Sequence, residues 1–360
     1  MKQARAVLLV GFGLVVGIFV GRLLDTPVQD DLYPTGTKDS LFHFPWNDRT
    51  SDDPEAREAA QQLLTWLDAG DRDSTERVEA LQHSHTLFSA LDTHDAIGSE
   101  YPTMAWITEW LGASESRRQE LSQTPDQKRM LAFLNPGEFQ ALHRYLKQKY
   151  RFVRMGERER ANFVSFDEVV RFNSPGRSDW ERSDDLASIV DLKPGDQIAD
   201  LGSGPGFFSF RFAEQVGTTG TVYAVDTNEQ HLAYIERIAQ REDLSQLRTI
   251  LSNGTEVGAE AGSLDRVFMC ATYQAVYGFT KPPDRDALMS NIRNSLSADG
   301  KLIISDNSHA VSEGQPYNGI LVASSAVITQ VEAYGFRLVE SHQLVPQRYT
   351  LVFELDTTQP

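Results

Sequence analysis

Apolar and polar positions divide this chain into three textures. Ala6 to Gly21 is an unbroken apolar run of 16 residues, with Lys2 and Arg5 before it and Arg22 after it. As a helix it spans about 24 Å, and Leu23 and Leu24 lengthen it if Arg22 snorkels to the headgroups. The run predicts a single-pass membrane anchor over residues 1–24. A cleaved signal peptide is the rival reading, but no A-x-A site follows the run. Gly13, Gly17 and Gly21 recur every fourth residue, a spacing that permits close helix–helix approach and a homodimer through that face.

Residues 25–53 are polar, carry Pro27, Pro34 and Gly36, and read as a linker. Residues 54–160 then show helical spacing. Asp53-Pro54 is an N-cap followed by proline at the first helical position, and the stripe Leu63, Leu64, Leu67 ends at Gly70. A second helix is predicted over 74–91, with shorter ones near 103–111, 127–134 and 138–150. Trp106 and Trp110, four apart, mark a helix face turned to the core. His83 and His85 project from different faces of their helix, so neither they nor nearby His94 predict a shared metal.

From about Asn162 the texture changes again. Short apolar runs alternate with amphipathic helices, the mark of an α/β domain over residues 161–360. Strands are predicted at 197–201, 221–226, 248–252, 265–271 and 301–306. Helices at 207–215, 229–241 and 286–296 separate them. A helix at 321–334 precedes two final strands, 337–344 and 349–355, which pair as a hairpin at the sheet edge.

Charge removes one class of partner. The 34 Lys and Arg against 51 Asp and Glu leave a net charge of −17. That balance disfavours general nucleic-acid binding, which needs a basic face. The single cysteine, Cys270, excludes an internal disulfide and any Cys-rich zinc site. Sitting mid-strand, it reads as a buried small hydrophobe rather than a nucleophile.

The chemistry concentrates after Pro194-Gly195. A buried strand ends in Asp200-Leu201; Gly202, Ser203, Gly204, Pro205 and Gly206 follow, and a helix opens at Phe207. Such a loop lets a ligand approach the backbone at a helix N-terminus. Twenty residues beyond Gly206 a second strand ends in Asp226, where a carboxylate can accept both hydroxyls of a ribose. The spacing G-x-G-x-G, with an acid two residues ahead, differs from the dinucleotide pattern G-x-G-x-x-G and disfavours a nicotinamide dehydrogenase. The acid suits a cationic amino-acid moiety better than a pyrophosphate, which points to S-adenosylmethionine (SAM).

On these residues the chain resembles the class I SAM-dependent methyltransferases. Asp200 to Gly206 is similar to that superfamily's first motif, and Asp226 to its ribose-binding acid. Asp265 to Ala271 resembles the fourth strand, Leu296 to Asp306 the entry to the fifth, and Gly335-Phe336 the start of the closing hairpin. Arg177-Ser-Asp-Trp180 and Leu192-Lys-Pro-Gly195 look like a bacterial group acting on small molecules. The resemblance covers residues 165–356 and implies a doubly wound, seven-stranded Rossmann-like sheet with SAM across the carboxyl ends of the first strands. It places Asp200, Gly202, Ser203, Gly204 and Gly206 at the methionine end, Asp226 at the ribose, and Asn253 and Gly254 at the adenine. Thr272, Tyr273, Gln274 and Tyr277 would face the acceptor, which the anchor and the acidic charge suggest is small or lipophilic.

Catalytic residues are not assigned by the resemblance. The related group carries an acid and paired histidines where this chain has Ala271 and Gln274-Ala275. His309 is the one imidazole placed nearby by chain order, and a surface-loop histidine is its simpler reading. A second functional reading therefore stands beside the enzyme: a methyltransferase-fold module that binds or scaffolds at the membrane. Topology bears on the choice, since the charges flanking the anchor lean towards a body outside the cytoplasm. A SAM site requires a cytoplasmic body, and the motif outranks a bias of one or two charges.

Overall fold

The computed structural model describes residues 50–68, 72–92, 99–307, 322–346 and 348–357, all within one compact unit. The predicted anchor with its glycine stripe, the linker up to residue 49, Gly70, His94 and His309 lie outside the described residues. Among the described residues no helix is long and apolar enough to cross a membrane.

Among the described residues seven helices build the amino-terminal region: α1 (Pro54–Leu67), α2 (Thr75–Leu91), α3 (Tyr101–Gly112), α4 (Glu115–Glu120), α5 (Pro125–Leu134), α6 (Pro136–Lys149) and α7 (Glu157–Phe172). The predicted cap forms, with Asp53 accepting from the Ala56 amide at 2.9 Å. Leu63, Leu64 and Leu67 join one apolar core with Phe88, Met104, Tyr145 and Tyr150. Trp106 and Trp110 pack on its margin, and their indole N–H groups donate to Leu121 O and Ser122 Oγ. His83 pairs with exposed Glu58, whereas His85 turns towards Ala105 and Thr108.

A buried ionic cluster ties α6 to α7. Lys149 Nζ lies 2.8 Å from Asp167 Oδ1 and 3.1 Å from Glu100 Oε2. Tyr145 donates to Asp167, and Tyr150 donates to Glu100. Burial raises the cost of the Asp167 carboxylate, yet Lys149 and Arg171 hold its pKa below the ordinary value.

Two short helices, α8 (Arg177–Glu181) and α9 (Ser183–Val190), lead into the sheet domain. Its strands are β1 (Gln197–Leu201), β2 (Thr221–Asp226), β3 (Leu247–Leu251), β4 (Leu264–Cys270), β5 (Leu296–Asn307), β6 (Phe336–Val345) and β7 (Arg348–Leu355). Between them run α10 (Phe207–Val216), α11 (Glu229–Arg241), α12 (Tyr273–Phe279), α13 (Pro282–Ser295) and α14 (Ser324–Glu332). The strand order is β3-β2-β1-β4-β5-β7-β6, with β1 to β5 parallel and β7 antiparallel to both β5 and β6. The predicted hairpin at the sheet edge is therefore present. One apolar cluster covers each face: Phe208, Phe212 and Ile235 among others on one, Val267, Met289 and Phe353 on the other.

The helical region docks on α10 and α11 of the sheet domain. Buried Arg129 on α5 reaches Glu214 and Glu242, and its guanidinium stacks over Phe210. Phe133 meets Tyr234 edge-on with centroids 5.4 Å apart.

Candidate active site

The parallel strands bring the carboxyl ends of β1, β2 and β4 to one edge, and the loop after β1 folds over that edge. Gly202 N–H and Ser203 N–H both donate to Val225 O, at 2.8 and 3.1 Å. Gly204 N–H donates to Asp226 Oδ2 at 2.7 Å, and Asn228 N–H to Asp226 Oδ1 at 2.8 Å. Thus the loop and the second acid, 22 residues apart, are one hydrogen-bonded unit.

Glycine is required here for two different reasons. A Cβ on Gly202 would come within 2.4 Å of Thr272 Oγ1, so the loop closes against the segment after β4 only without a side chain. At Gly204, φ is +53°, but the nearest atom to an added Cβ is Phe172 Cδ2 at 4.0 Å. Space lies open above the backbone there, which is what a bound group needs.

The first acid sits underneath. Asp200 is buried and accepts from Ser209 Oγ of α10 at 2.6 Å. Burial pushes its pKa from 3.8 up to about 7; the Ser209 hydroxyl opposes the shift and the Asp226 charge adds to it. Asp226 behaves oppositely. Despite burial its pKa lies below the ordinary value, because His231 and the amides of Asn228 and Gly204 favour its charge. His231 on α11 stands between two acids, with Nε2 2.8 Å from Glu168 of α7 and Nδ1 3.7 Å from Asp226. Those carboxylates raise its pKa to about 10 against the opposing effect of burial, so it is an imidazolium at neutral pH.

Asn253 and Gly254 follow β3, beside the end of β2: Ser252 N–H donates to Asp226 O, and Gly254 N–H to Ser252 Oγ. Asn253 is exposed and caps its own turn through Thr255. Of the four residues expected at the acceptor, two are committed elsewhere. Tyr273 is buried and donates to Gln330, while Gln274 is held by Ala271 O and by Asn307. Thr272 packs on Gly202, and Tyr277 is exposed.

A charged group beside this edge carries no sequence signal of its own. Glu181 takes Arg177 through both oxygens, at 2.8 and 3.1 Å, and takes Arg348 at 2.6 Å. Cys270 is the last residue of β4 rather than a mid-strand hydrophobe, with Sγ 2.8 Å from Arg348 Nη1. Burial pushes its thiol pKa up to about 12, so it stays neutral and is no nucleophile at ordinary pH.

The comparisons with known proteins fit this geometry. Residues 192–350 match a family model described as a methyltransferase domain. That match and the relatives this chain resembles support a class I, SAM-dependent methyltransferase domain of the small-molecule type. Among its curated relatives is nocamycin O-methyltransferase of Saccharothrix syringae, 30% identical over 117 residues, which are 32% of this chain and 40% of the relative. Another is the ubiquinone/menaquinone biosynthesis C-methyltransferase UbiE of Escherichia coli, 26% identical over 170 residues, 44% of this chain and 64% of the relative. The chain thus spans about half the length of the curated relatives it matches. A solved SAM-dependent methyltransferase from Aquifex aeolicus is similar at 19% identity and a TM-score of 0.45, over 50% of this chain and 92% of that one.

The methyltransferase domain's cofactor is SAM, and the residues present fit it. Asp226 has a side chain 11% exposed and oxygens that each keep capacity beyond the amide they already accept. Open space lies above Gly204, and a carboxyl group lies below the loop at Asp200.

Proposed function

We propose that this protein is a membrane-anchored methyltransferase that moves the methyl group of SAM to a small or lipophilic acceptor. The observation that carries the reading is the Gly204–Asp226 hydrogen bond, which joins the glycine loop and the second acid into one cradle. In this reading Asp226 accepts the ribose hydroxyls, and Gly202, Ser203, Gly204 and Gly206 surround the methionine end. Asp200 supplies negative charge beneath the loop, and Asn253 and Gly254 border the adenine.

SAM supplies a methyl group on a positively charged sulfur. An acceptor atom forms the new bond to that methyl carbon while the carbon–sulfur bond breaks, and the electron pair stays on sulfur in S-adenosylhomocysteine (SAH). The chain's own contribution is to align the acceptor and exclude water, which supplies much of the acceleration of such a displacement. Phe172 and Asn173 at the end of α7 cover the loop, with Asn173 Nδ2 donating to Pro205 O at 2.9 Å. The apolar run Ala6–Gly21 supports an anchor, the SAM motif supports a cytoplasmic body, and the stripe Gly13, Gly17, Gly21 supports pairing of two copies within the bilayer.

Calorimetric titration of SAM and SAH into the full chain in mild detergent tests the cofactor assignment. Micromolar binding of both is expected. Absence of binding to folded protein would move the reading to the second hypothesis, an anchored methyltransferase-fold module that binds or scaffolds.

A further inference from the structure

Arg348 opens β7 and pairs in register with Asn307 at the end of β5. Its guanidinium reaches back across β5 to Cys270 at the end of β4, and to Glu181 of α8. Among the described residues both contacts run through Nη1, a hydrogen bond to Cys270 and an ion pair with Glu181. Nε is buried and has no acceptor, and Nη2 makes no hydrogen bond among the described residues. Nε and Nη2 form one edge of the planar group, the edge that grips the two oxygens of a carboxylate side by side. A buried guanidinium with that edge unmet is costly unless something occupies it.

Among the described residues the neighbouring acids are held by other donors. Glu181 already holds Arg177 with both oxygens and accepts from Ser183. Asp306 accepts the backbone amides of Gln274 and Asn307, one on each oxygen. Cys270 is a neutral thiol. The indole of Trp180 lies 5.6 Å from the guanidinium carbon and offers a flat apolar wall.

The location favours one source for the missing oxygens. The ribose acid Asp226 ends β2, on one side of β1, whereas β4, β5 and β7 follow in order on the other. Cys270, which touches Arg348, is two residues from Thr272, and Thr272 packs on Gly202 of the loop. Arg348 therefore sits at the carboxyl edge of the sheet beside the end of β4, across β1 from Asp226. We infer that the Nε–Nη2 edge of Arg348 binds a carboxylate of the methyl acceptor, so that the acceptor is a small organic acid. This inference rests on the methyltransferase reading above. It makes Arg348 a residue that selects the acceptor and takes no part in bond making.

The test uses the full chain saturated with SAH. Acetate, benzoate and 4-hydroxybenzoate are titrated against their uncharged amides, in wild-type protein and in Arg348→Lys and Arg348→Gln. Lysine keeps a positive charge beside Glu181 but lacks the two-pronged edge, so it separates recognition from folding. Unfolding midpoints check that each variant is native. The expected result is that at least one carboxylate binds the wild type, its amide does not, and Arg348→Lys weakens the carboxylate at least tenfold with SAH affinity unchanged. The inference is overturned if no carboxylate binds, if Arg348→Lys binds it as well as the wild type, or if SAH affinity falls in parallel. That last result would give the edge to the cofactor's own carboxylate. Should wild-type protein bind no SAH, the methyltransferase reading fails separately. The carboxylates are then titrated into unliganded protein, where a tenfold loss in Arg348→Lys supports the carboxylate edge and no loss refutes it.

Discussion

Replacing Asp200 by Asn should make the unliganded protein more stable while damaging its cofactor site. The side chain is buried, and its pKa rises from 3.8 to about 7 on folding. Between those values the folded protein holds a proton that the unfolded chain releases, so stability falls as pH rises through the window and levels off above it. At 1.36 kcal/mol per pH unit the gap corresponds to a ceiling of about 4 kcal/mol. Asparagine is close in size to the protonated acid and can still accept from Ser209. The gain in Asp200→Asn should therefore be near zero at pH 4, grow steadily to pH 7, and stay constant to pH 8.5. Urea unfolding of the full chain, followed by tryptophan fluorescence at each pH, measures it as the difference from wild type. Affinity should move the opposite way. Wild-type binding of SAM should tighten by up to about tenfold per pH unit from 5 to 7, as Asp200 gives up its proton to meet a cation. The variant should bind weakly with little of that dependence. A stability change that is negative, or equal at pH 4 and pH 8, would refute the reasoning. So would unchanged SAM affinity.

Three further outcomes follow from the same geometry. If Asp226 holds the ribose as proposed, Asp226→Asn should weaken SAM at least tenfold by calorimetry, because one carboxylate oxygen becomes an amide donor. Gly204→Val should abolish SAM binding by filling the space above the loop, while circular dichroism stays native and the unfolding free energy drops by about 1–2 kcal/mol for a branched residue at φ +53°. Lys149→Met should destabilise by about 3–5 kcal/mol in urea unfolding, since it leaves the carboxylates of Asp167 and Glu100 buried without their shared cation.

Much of the sheet domain was legible because its signals are local. Gln197–Leu201 carries Ile198, Ala199 and Leu201 and ends at glycines, and Thr221–Asp226 stops at a charge, so both strands fall where the pattern puts them. Helix α7 went unread: four charged residues, Glu157 to Arg160, open it and hide the stripe of Phe163, Val169 and Val170. Helix α12 is one short turn-rich piece of seven residues, below the length at which periodicity can be seen. The loop and its two acids could be found because their spacing is a motif. Arg348 could not, since Cys270 is 78 residues away in sequence and only strand pairing brings them together. Nor could the pairing of His231 with Glu168, 63 residues apart, be anticipated from either residue alone.

Adjacent residues of α7 face in two directions. Asp167 points into the helical core at Lys149, and Glu168 meets His231 beside Asp226. The helix is a party wall, and neither room stands without it. A designer moving the sheet domain to another scaffold would have to carry residues 157–172 across whole, together with enough of α6 to hold them. Cutting at residue 160, where the character of the sequence changes, would sever the wall near its first turn.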